Sequence, residues 1–347
     1  FTSCDMQSDW QSDLISWRYR EYIGENTRVT APLRFNYSND EIRLAADLVQ
    51  ILVPSVRTSA ESVISELATS LQLNELEFRA GDVISGGFNF SSSEFRLDNG
   101  IADISNPAYS GKLKLDKDTL TGVIEVDIDQ RLRLGIGLQH FFLRDTGDVV
   151  LKLAPYEFTK AGPLSTLITP KELEADVVAG QIEGLANISW SKQLDDSWRF
   201  GGPIALKIDQ LSGYYADYFF VDMNTDLFAE ATTPLGIQVS NPASASLSLI
   251  DIGLPLEGLS WQYRFDTLIG EIQIFDFDTS LLDGKLSIPG ASYNSAGDRQ
   301  QIDVVLTDLR VDSVIALAEY SGLEADGLIS GSLPFILEGD TISVEKG

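Results

Sequence analysis

The chain has 347 residues, 44% of them hydrophobic, and its 52 acidic and 25 basic residues give a formal net charge of −27. This balance excludes a nucleic-acid-binding protein, because phosphate recognition needs clustered Lys and Arg, and it disfavours adhesion of the main body to anionic membranes. The single cysteine, Cys4, excludes a disulfide framework and a thiolate metal site.

Helical spacing of apolar residues occurs in only a few places. Residues 10–23 fit a helix or a strand equally well. Residues 58–73 carry Val63, Ile64, Leu67 and Leu71 at helical spacing, which predicts a helix. Residues 163–174 are a further helix candidate, and residues 312–320, followed by Ser321-Gly322, predict a short helix with a glycine C-terminus.

Alternation of apolar and polar residues is the dominant pattern. It is clear at residues 113–116, 124–129, 131–134, 204–209, 271–274 and 285–288. Each such strand has one apolar face and one polar face, and the polar face carries many of the acidic residues. Turn signals such as Asp145-Thr146-Gly147 and Asp283-Gly284 separate the strands, which predicts an antiparallel meander.

A large one-sided sheet must have its apolar face covered, and the predicted helices are too small for this. We therefore predict a mostly β protein, an elongated and curved antiparallel β-sheet that forms an apolar groove (a β-taco) with a few short helices. Residues 1–347 are expected to form one elongated unit, a fragment of a longer chain. The candidate groove-lining residues for lipid are Phe88, Phe90, Leu113, Leu115, Ile124, Val126, Ile128, Leu132, Leu134, Ile272, Ile274, Leu286 and Ile288.

Signals for catalysis, metals and cofactors are weak, and we predict no enzyme, no metal site and no cofactor. His140 is the single histidine and neighbours two phenylalanines, which favours a packed side chain over a catalytic base. The carboxylate pairs Asp195-Asp196 and Asp276/Asp278 could suggest a glycan-active enzyme, but chance pairs are expected among so many acidic residues.

An ordered set of short motifs lies in residues 241–347. Leu249-Ile250-Asp251-Ile252-Gly253-Leu254-Pro255-Leu256 comes first, Leu281-Leu282-Asp283-Gly284 and Leu306-Thr307-Asp308-Leu309 follow, and the short helix is next. Gly327, Ser330-Gly331 and Leu333-Pro334 close the set. The order resembles the C-terminal part of the YdbH family, relatives of the AsmA-like proteins that include TamB. Asp283 stands where that family usually has glycine.

The resemblance implies an inner-membrane-anchored protein that crosses the periplasm and carries phospholipids toward the outer membrane in a long apolar groove. It also implies a small outer-membrane lipoprotein partner, YnbE-like, that joins by strand addition, and an anchor outside this fragment. The residues alone leave open a structural or adhesive β-sandwich protein without lipid cargo, in which two sheets close a core.

Overall fold

The computed structural model describes residues 3–19, 22–38, 41–57, 63–79, 82–98, 102–171, 174–233, 236–294, 300–317, 325–338 and 341–344. Strands make up 82% of the structure, and every strand pair is antiparallel where its register is defined. The prediction of a mostly antiparallel β protein is confirmed. Two compact units are present: Phe1–Tyr156, Ala161–Leu173 and Gly184–Arg199 form the first, and Glu157–Lys160, Glu174–Glu183 and Phe200–Gly347 form the second.

The first unit is built on a meander of long strands that pair in the order β1-β2-β3-β4-β5-β8-β9-β10-β11. The beginning of β4 pairs instead with β6, which continues to β7 and β12. The strands are β1 Ser3–Tyr19, β2 Tyr22–Ser38, β3 Glu41–Arg57, β4 Val63–Arg79, β5 Asp82–Ser92, β6 Arg96–Asp98, β7 Ala102–Ile104, β8 Pro107–Asp116, β9 Thr119–Ile128, β10 Leu132–Phe141, β11 Thr146–Phe158 and β12 Ile168–Pro170. The next strand, β13 Ala175–Lys192, belongs to the first unit from residue 184 onward and to the second unit before it. Ala31, Ala46 and Val49 form a buried cluster on the apolar side of β2 and β3.

The second unit continues the same construction, with β14, β15 and β17 to β23 pairing in chain order and β16 joined to β15 and β18. The elements are β14 Trp198–Tyr215, β15 Tyr218–Thr232, β16 Gly236–Gln238, β17 Ala243–Asp251, β18 Pro255–Asp266, β19 Glu271–Leu281, β20 Gly284–Asn294, β21 Gln300–Arg310, helix α1 Val311–Leu317, β22 Leu328–Glu338 and β23 Thr341–Val344. Ala229, Val239 and Ala243 form its buried cluster.

The helix predictions had mixed outcomes. The short helix predicted at residues 312–320 is confirmed over residues 312–317 by α1, where Asp312 of the first turn accepts a hydrogen bond from Arg310 Nε (3.0 Å). Residues 318–322, with the predicted glycine C-terminus, lie outside the described residues. The helix at residues 58–73 is wrong: from Val63 onward the chain is β4, and residues 58–62 lie outside the described residues. In residues 163–174 the structure describes a 3₁₀ turn, Leu164–Thr166, followed by β12, and residues 172–173 lie outside the described residues. Residues 10–23 are strand where the structure describes them.

A local break in the strand alternation explains the wrong helix. Glu66 has a φ of 62°. Ile64 and Leu67, three residues apart, pair with Val56 and Val53, which are also three residues apart and are both buried. Because both strands make the same three-residue step between apolar positions, strand residues reproduced the spacing of a helix.

Candidate functional site

The first unit presents an unbroken apolar surface on one face of its sheet. Directly paired residues on eight successive strands form one row across it: Leu33, Ala46, Leu73, Phe88, Leu113, Gly122, Leu138 and Val149. A second row, two residues further along the strands, is Leu71, Phe90, Gly111, Ile124, Ile136 and Leu151. We call this surface the apolar face. At about 4.8 Å between strands, the first row is about 34 Å long.

Nine of the thirteen predicted groove residues lie together on this face. Phe88 pairs with Leu113, Val126 with Leu134, and Ile128 with Leu132. Phe90 and Ile124 flank Gly111, and Leu115 pairs with Leu120 at the end of β8. All nine are half-buried. Contacts among these side chains therefore remove part of their surface from water. The part of each side chain that stays exposed is available to a ligand.

Glycines within the rows let neighbouring side chains lie flat on the sheet. A Cβ on Gly122 would stand 2.1 Å from Leu113 Cδ2, and one on Gly111 would stand 2.8 Å from Phe90 Cζ. Gly147 of β11 is covered in the same way by Trp190, whose Cζ2 would lie 2.5 Å from the added atom. Each glycine is thus a depression that an apolar side chain from the next strand fills.

Polar groups on the apolar face are paired with each other. The hydroxyls of Thr69 and Tyr109 are 2.6 Å apart, and Tyr109 also packs against Phe90. Trp190 Nε1 donates to His140 Nδ1 at 3.2 Å, and His140 meets the Phe142 ring edge-on at 4.8 Å. The prediction that His140 is a packed side chain is confirmed. These pairings satisfy hydrogen-bonding groups that would otherwise be costly beside an apolar ligand.

The second unit has a corresponding apolar face that carries the other four predicted residues. Ile274 pairs with Tyr263 and Ala291, and Ile272 pairs with Phe265 and Tyr293. Leu286 and Ile288 pair with Thr279 and Phe277.

A bulge keeps these four residues on one face of the second unit. Asp276 has a φ of 49° and is the extra residue of a bulge in β19. Without this bulge, strict alternation from Ile274 would place Phe277 on the polar face. The Phe277 ring consequently reaches Trp261 on the apolar face, with 6.3 Å between ring centroids.

Comparison with known protein families shows which family the chain belongs to. The model of the YdbH-like family, described as intermembrane phospholipid transport protein YdbH, matches residues 10–347. The chain belongs to the YdbH-like family. Curated proteins gave no match, and neither did solved structures.

The family match extends further than the motifs that suggested it. The motifs lie in residues 241–347, whereas the YdbH-like model also covers the strands of the first unit. The chain is thus a member of a phospholipid transport family along nearly its whole length. Among its described residues, the YdbH-like chain has no helix of the length and apolarity needed to cross a membrane.

The opposite, polar face of the first unit holds a cavity of about 1450 Å³ that the sequence did not reveal. Rows of polar side chains from β1 to β11 line it, including Gln72, Asn89, Lys112 and Gln139. Arg34 is paired with Asp47 there. In the sequence, the polar positions of the alternating strands are the one signal for this cavity. They do not indicate which polar side chains come together around it.

The carboxylate pairs have local structural roles. Asp195 Oδ1 accepts hydrogen bonds from Ser197 N (3.1 Å) and Oγ (2.6 Å) in a turn, which lowers the pKa of that carboxyl. Asp196 Oδ1 lies 2.8 Å from Lys192 Nζ, and the pKa of Asp196 is lowered by this contact. Asp278 lies 2.8 Å from Lys285 Nζ. In the part of the chain that the structure describes, no group of three His, Cys, Asp or Glu residues could hold a metal ion.

Proposed function

We propose that the apolar faces hold the acyl chains of phospholipids while the headgroups stay in water, and that this is how the chain takes part in intermembrane transport. The observation that carries the proposal is the apolar row from Leu33 to Val149, which contains no charged residue in eight strands.

The dimensions of the face support the proposal. Two acyl chains laid end to end span the roughly 30 Å of a bilayer core, so one chain needs about 15 Å. The first row, at about 34 Å, has room for chains from two lipids in succession. Each CH₂ removed from water contributes about 0.8 kcal/mol, so contact with half-buried side chains such as Ile124 and Leu134 is enough to retain a chain without any fixed polar contact.

We further propose how the chain is placed between the two membranes. The chain acts as one elongated, bridge-like β-groove within a longer periplasmic protein, and a segment outside this sequence anchors it in the inner membrane. Phospholipids pass along it toward the outer membrane. A small outer-membrane lipoprotein could extend the sheet by strand addition, since edge strands offer unpaired backbone groups to a partner.

The test uses two neighbouring residues of β9 that point to opposite faces. Ile124 lies on the apolar face, and Val123 is 53% exposed on the polar face. Native mass spectrometry and lipid extraction of the purified protein should show bound phospholipid in the wild type and in Val123→Asp. Ile124→Asp should lose most of it, because the carboxylate would have to be desolvated beneath an acyl chain.

Two results would contradict the proposal. Wild-type protein without phospholipid would leave the structural or adhesive role as the better account. Equal lipid loss in Val123→Asp and Ile124→Asp would mean that lipid binds without regard to the face. Circular dichroism of both variants must first show the wild-type strand signal, so that misfolding does not imitate lipid loss.

A further inference from the structure

Two adjacent hairpin loops at one edge of the first unit hold leucines almost entirely in water. Residues 142–145 connect β10 to β11, and residues 193–197 connect β13 to β14. Lys192 N donates to Asp145 O at 2.9 Å, so the loops lie side by side. Leu143 is 85% exposed and Leu194 is 110% exposed, the two highest values among the large apolar side chains described. We call these loops, with Phe142 and Trp198 beside them, the paired tips.

The paired tips continue the apolar face past the end of the strands. Phe142 packs edge-on against His140, which follows Ile136 and Leu138 on the same face of β10. On β13, Trp190 covers Gly147 of that face before the chain reaches the second tip. An acyl chain that met the tips would therefore find apolar side chains leading directly onto the apolar face.

The side chains at the tips include the apolar and aromatic types found at a bilayer interface. Leu143 and Leu194 are the most exposed of them, and the aromatic rings of Phe142 and Trp198 are 49% and 40% exposed. The Arg144 guanidinium lies 4.1 Å from the centroid of the Phe141 ring. Aliphatic side chains favour the acyl region, aromatic rings the headgroup level, and cations the phosphates. A protein with a net charge of −27 has no general attraction to an anionic membrane, and the two loops themselves carry Asp145, Asp195 and Asp196. Contact would therefore depend on the apolar and aromatic side chains of the tips.

We propose that the paired tips insert into the interfacial layer of a phospholipid bilayer, and that lipids enter or leave the apolar face at this edge. The inference rests on the proposed lipid-carrying function and adds to it the place of exchange. The bilayer is favoured over a protein partner because the tips are continuous with the apolar face, where the lipid would go next.

A fluorescent label at the tip tests the contact directly. In a Cys4→Ser background, which removes the single, exposed thiol, the environment-sensitive dye NBD is attached at Leu143→Cys or, as a control, at Val123→Cys. With phosphatidylethanolamine–phosphatidylglycerol vesicles, the dye at position 143 should shift its emission to the blue and be quenched by nitroxide-labelled lipid, whereas the dye at position 123 should not. No change at position 143, or equal changes at both positions, would overturn the proposal.

Matched double variants separate this proposal from the lipid-carrying function. Leu143→Ser with Leu194→Ser should lower the vesicle-bound fraction at least ~10-fold, since even one leucine lost from an apolar contact has about that effect. Val123→Ser with Val150→Ser, which changes two exposed side chains of the polar face, should not. Both should keep the phospholipid that co-purifies. If phospholipid is retained but the tip variant binds vesicles like the wild type, or the wild type does not bind pure lipid vesicles at all, the inference fails. If no protein carries lipid, the proposed function fails first.

Discussion

Adding one methyl group at Gly147 should destabilise the first unit, because the space above this glycine is already filled. Gly147 pairs with His140 on the apolar face. A Cβ there would lie 2.5 Å from Gln139 O and 2.5 Å from Trp190 Cζ2. The carbonyl belongs to the adjacent strand, and Trp190 is held by its hydrogen bond to His140, so neither can move without loss. Overpacking of this kind costs about 2 kcal/mol, which lowers the melting temperature of a unit of this size by about 4–8 °C.

Gly137→Ala is the matched control for Gly147→Ala. Gly137 lies in β10 on the polar face, and a Cβ there would have no atom within 4 Å. Since alanine has fewer unfolded conformations to lose, Gly137→Ala should be neutral or stabilising by about 0.5 kcal/mol. Thermal unfolding followed by circular dichroism compares the two.

The outcome that refutes the reasoning is a Gly147→Ala protein as stable as Gly137→Ala, because Trp190 could not then cover Gly147. A double variant gives a second check. Trp190→Leu removes the ring that the new methyl group would strike. Gly147→Ala should therefore cost less in the Trp190→Leu background than in the wild type.

Three further changes have defined outcomes in unfolding experiments. Tyr109→Phe should cost about 1 kcal/mol because it leaves the Thr69 hydroxyl without its 2.6 Å partner, and adding Thr69→Val should recover part of that loss. Gln130→Gly should raise the melting temperature, because Gln130 has a φ of 56° in the β9–β10 turn and its hydrogen bond to Glu94 is exposed and therefore contributes little; a lower melting temperature would contradict this. A hydrogen bond from Asn106 and the nearby Arg131 lower the pKa of Asp129. The carboxylate therefore stabilises the fold at neutral pH and loses this effect as pH falls through its lowered pKa, so the stability difference between wild type and Asp129→Asn should vanish well below pH 3.8.

The apolar face could be predicted from the sequence wherever strict alternation holds. Leu113, Ile124 and Leu134 each belong to a strand in which every second residue is apolar. In an antiparallel meander, alternation alone places such residues on one face of the sheet. The short helix α1 was likewise signalled by its apolar spacing.

Breaks in the strand alternation are what the sequence did not reveal. At Glu66 and Asp276 the chain adopts a positive φ, which polar residues tolerate without forming a recognisable motif, and the step between apolar positions is three residues there instead of two. The same limit applies at Asp283, which has a φ of 60° in the β19–β20 turn and whose carboxylate accepts a hydrogen bond from Ser313 Oγ at 3.1 Å.

The paired tips could not be predicted, because a sequence does not show which loop leucines are exposed to water. Leu143 and Leu194 lie 51 positions apart in the sequence and read as ordinary loop residues. Only the hydrogen bond from Lys192 N to Asp145 O shows that their loops lie side by side, and only the structure shows that both side chains are exposed.

An apolar face without charged residues should carry phospholipids with little selectivity. An acyl chain is already out of water in its donor membrane, so moving it onto residues such as Ile124 and Leu138 changes its burial little, and extra CH₂ groups contribute nearly nothing to the difference. No charged side chain lies in the row to distinguish one headgroup from another. Protein loaded from vesicles of equal phosphatidylethanolamine and phosphatidylglycerol, each with shorter and longer chains, should therefore contain all four lipids in similar amounts. A tenfold enrichment of one headgroup corresponds to about 1.4 kcal/mol and would require a fixed polar contact that the apolar face does not offer. Ile124→Asp should reduce the total lipid without changing its composition, which separates loss of the face from loss of selectivity.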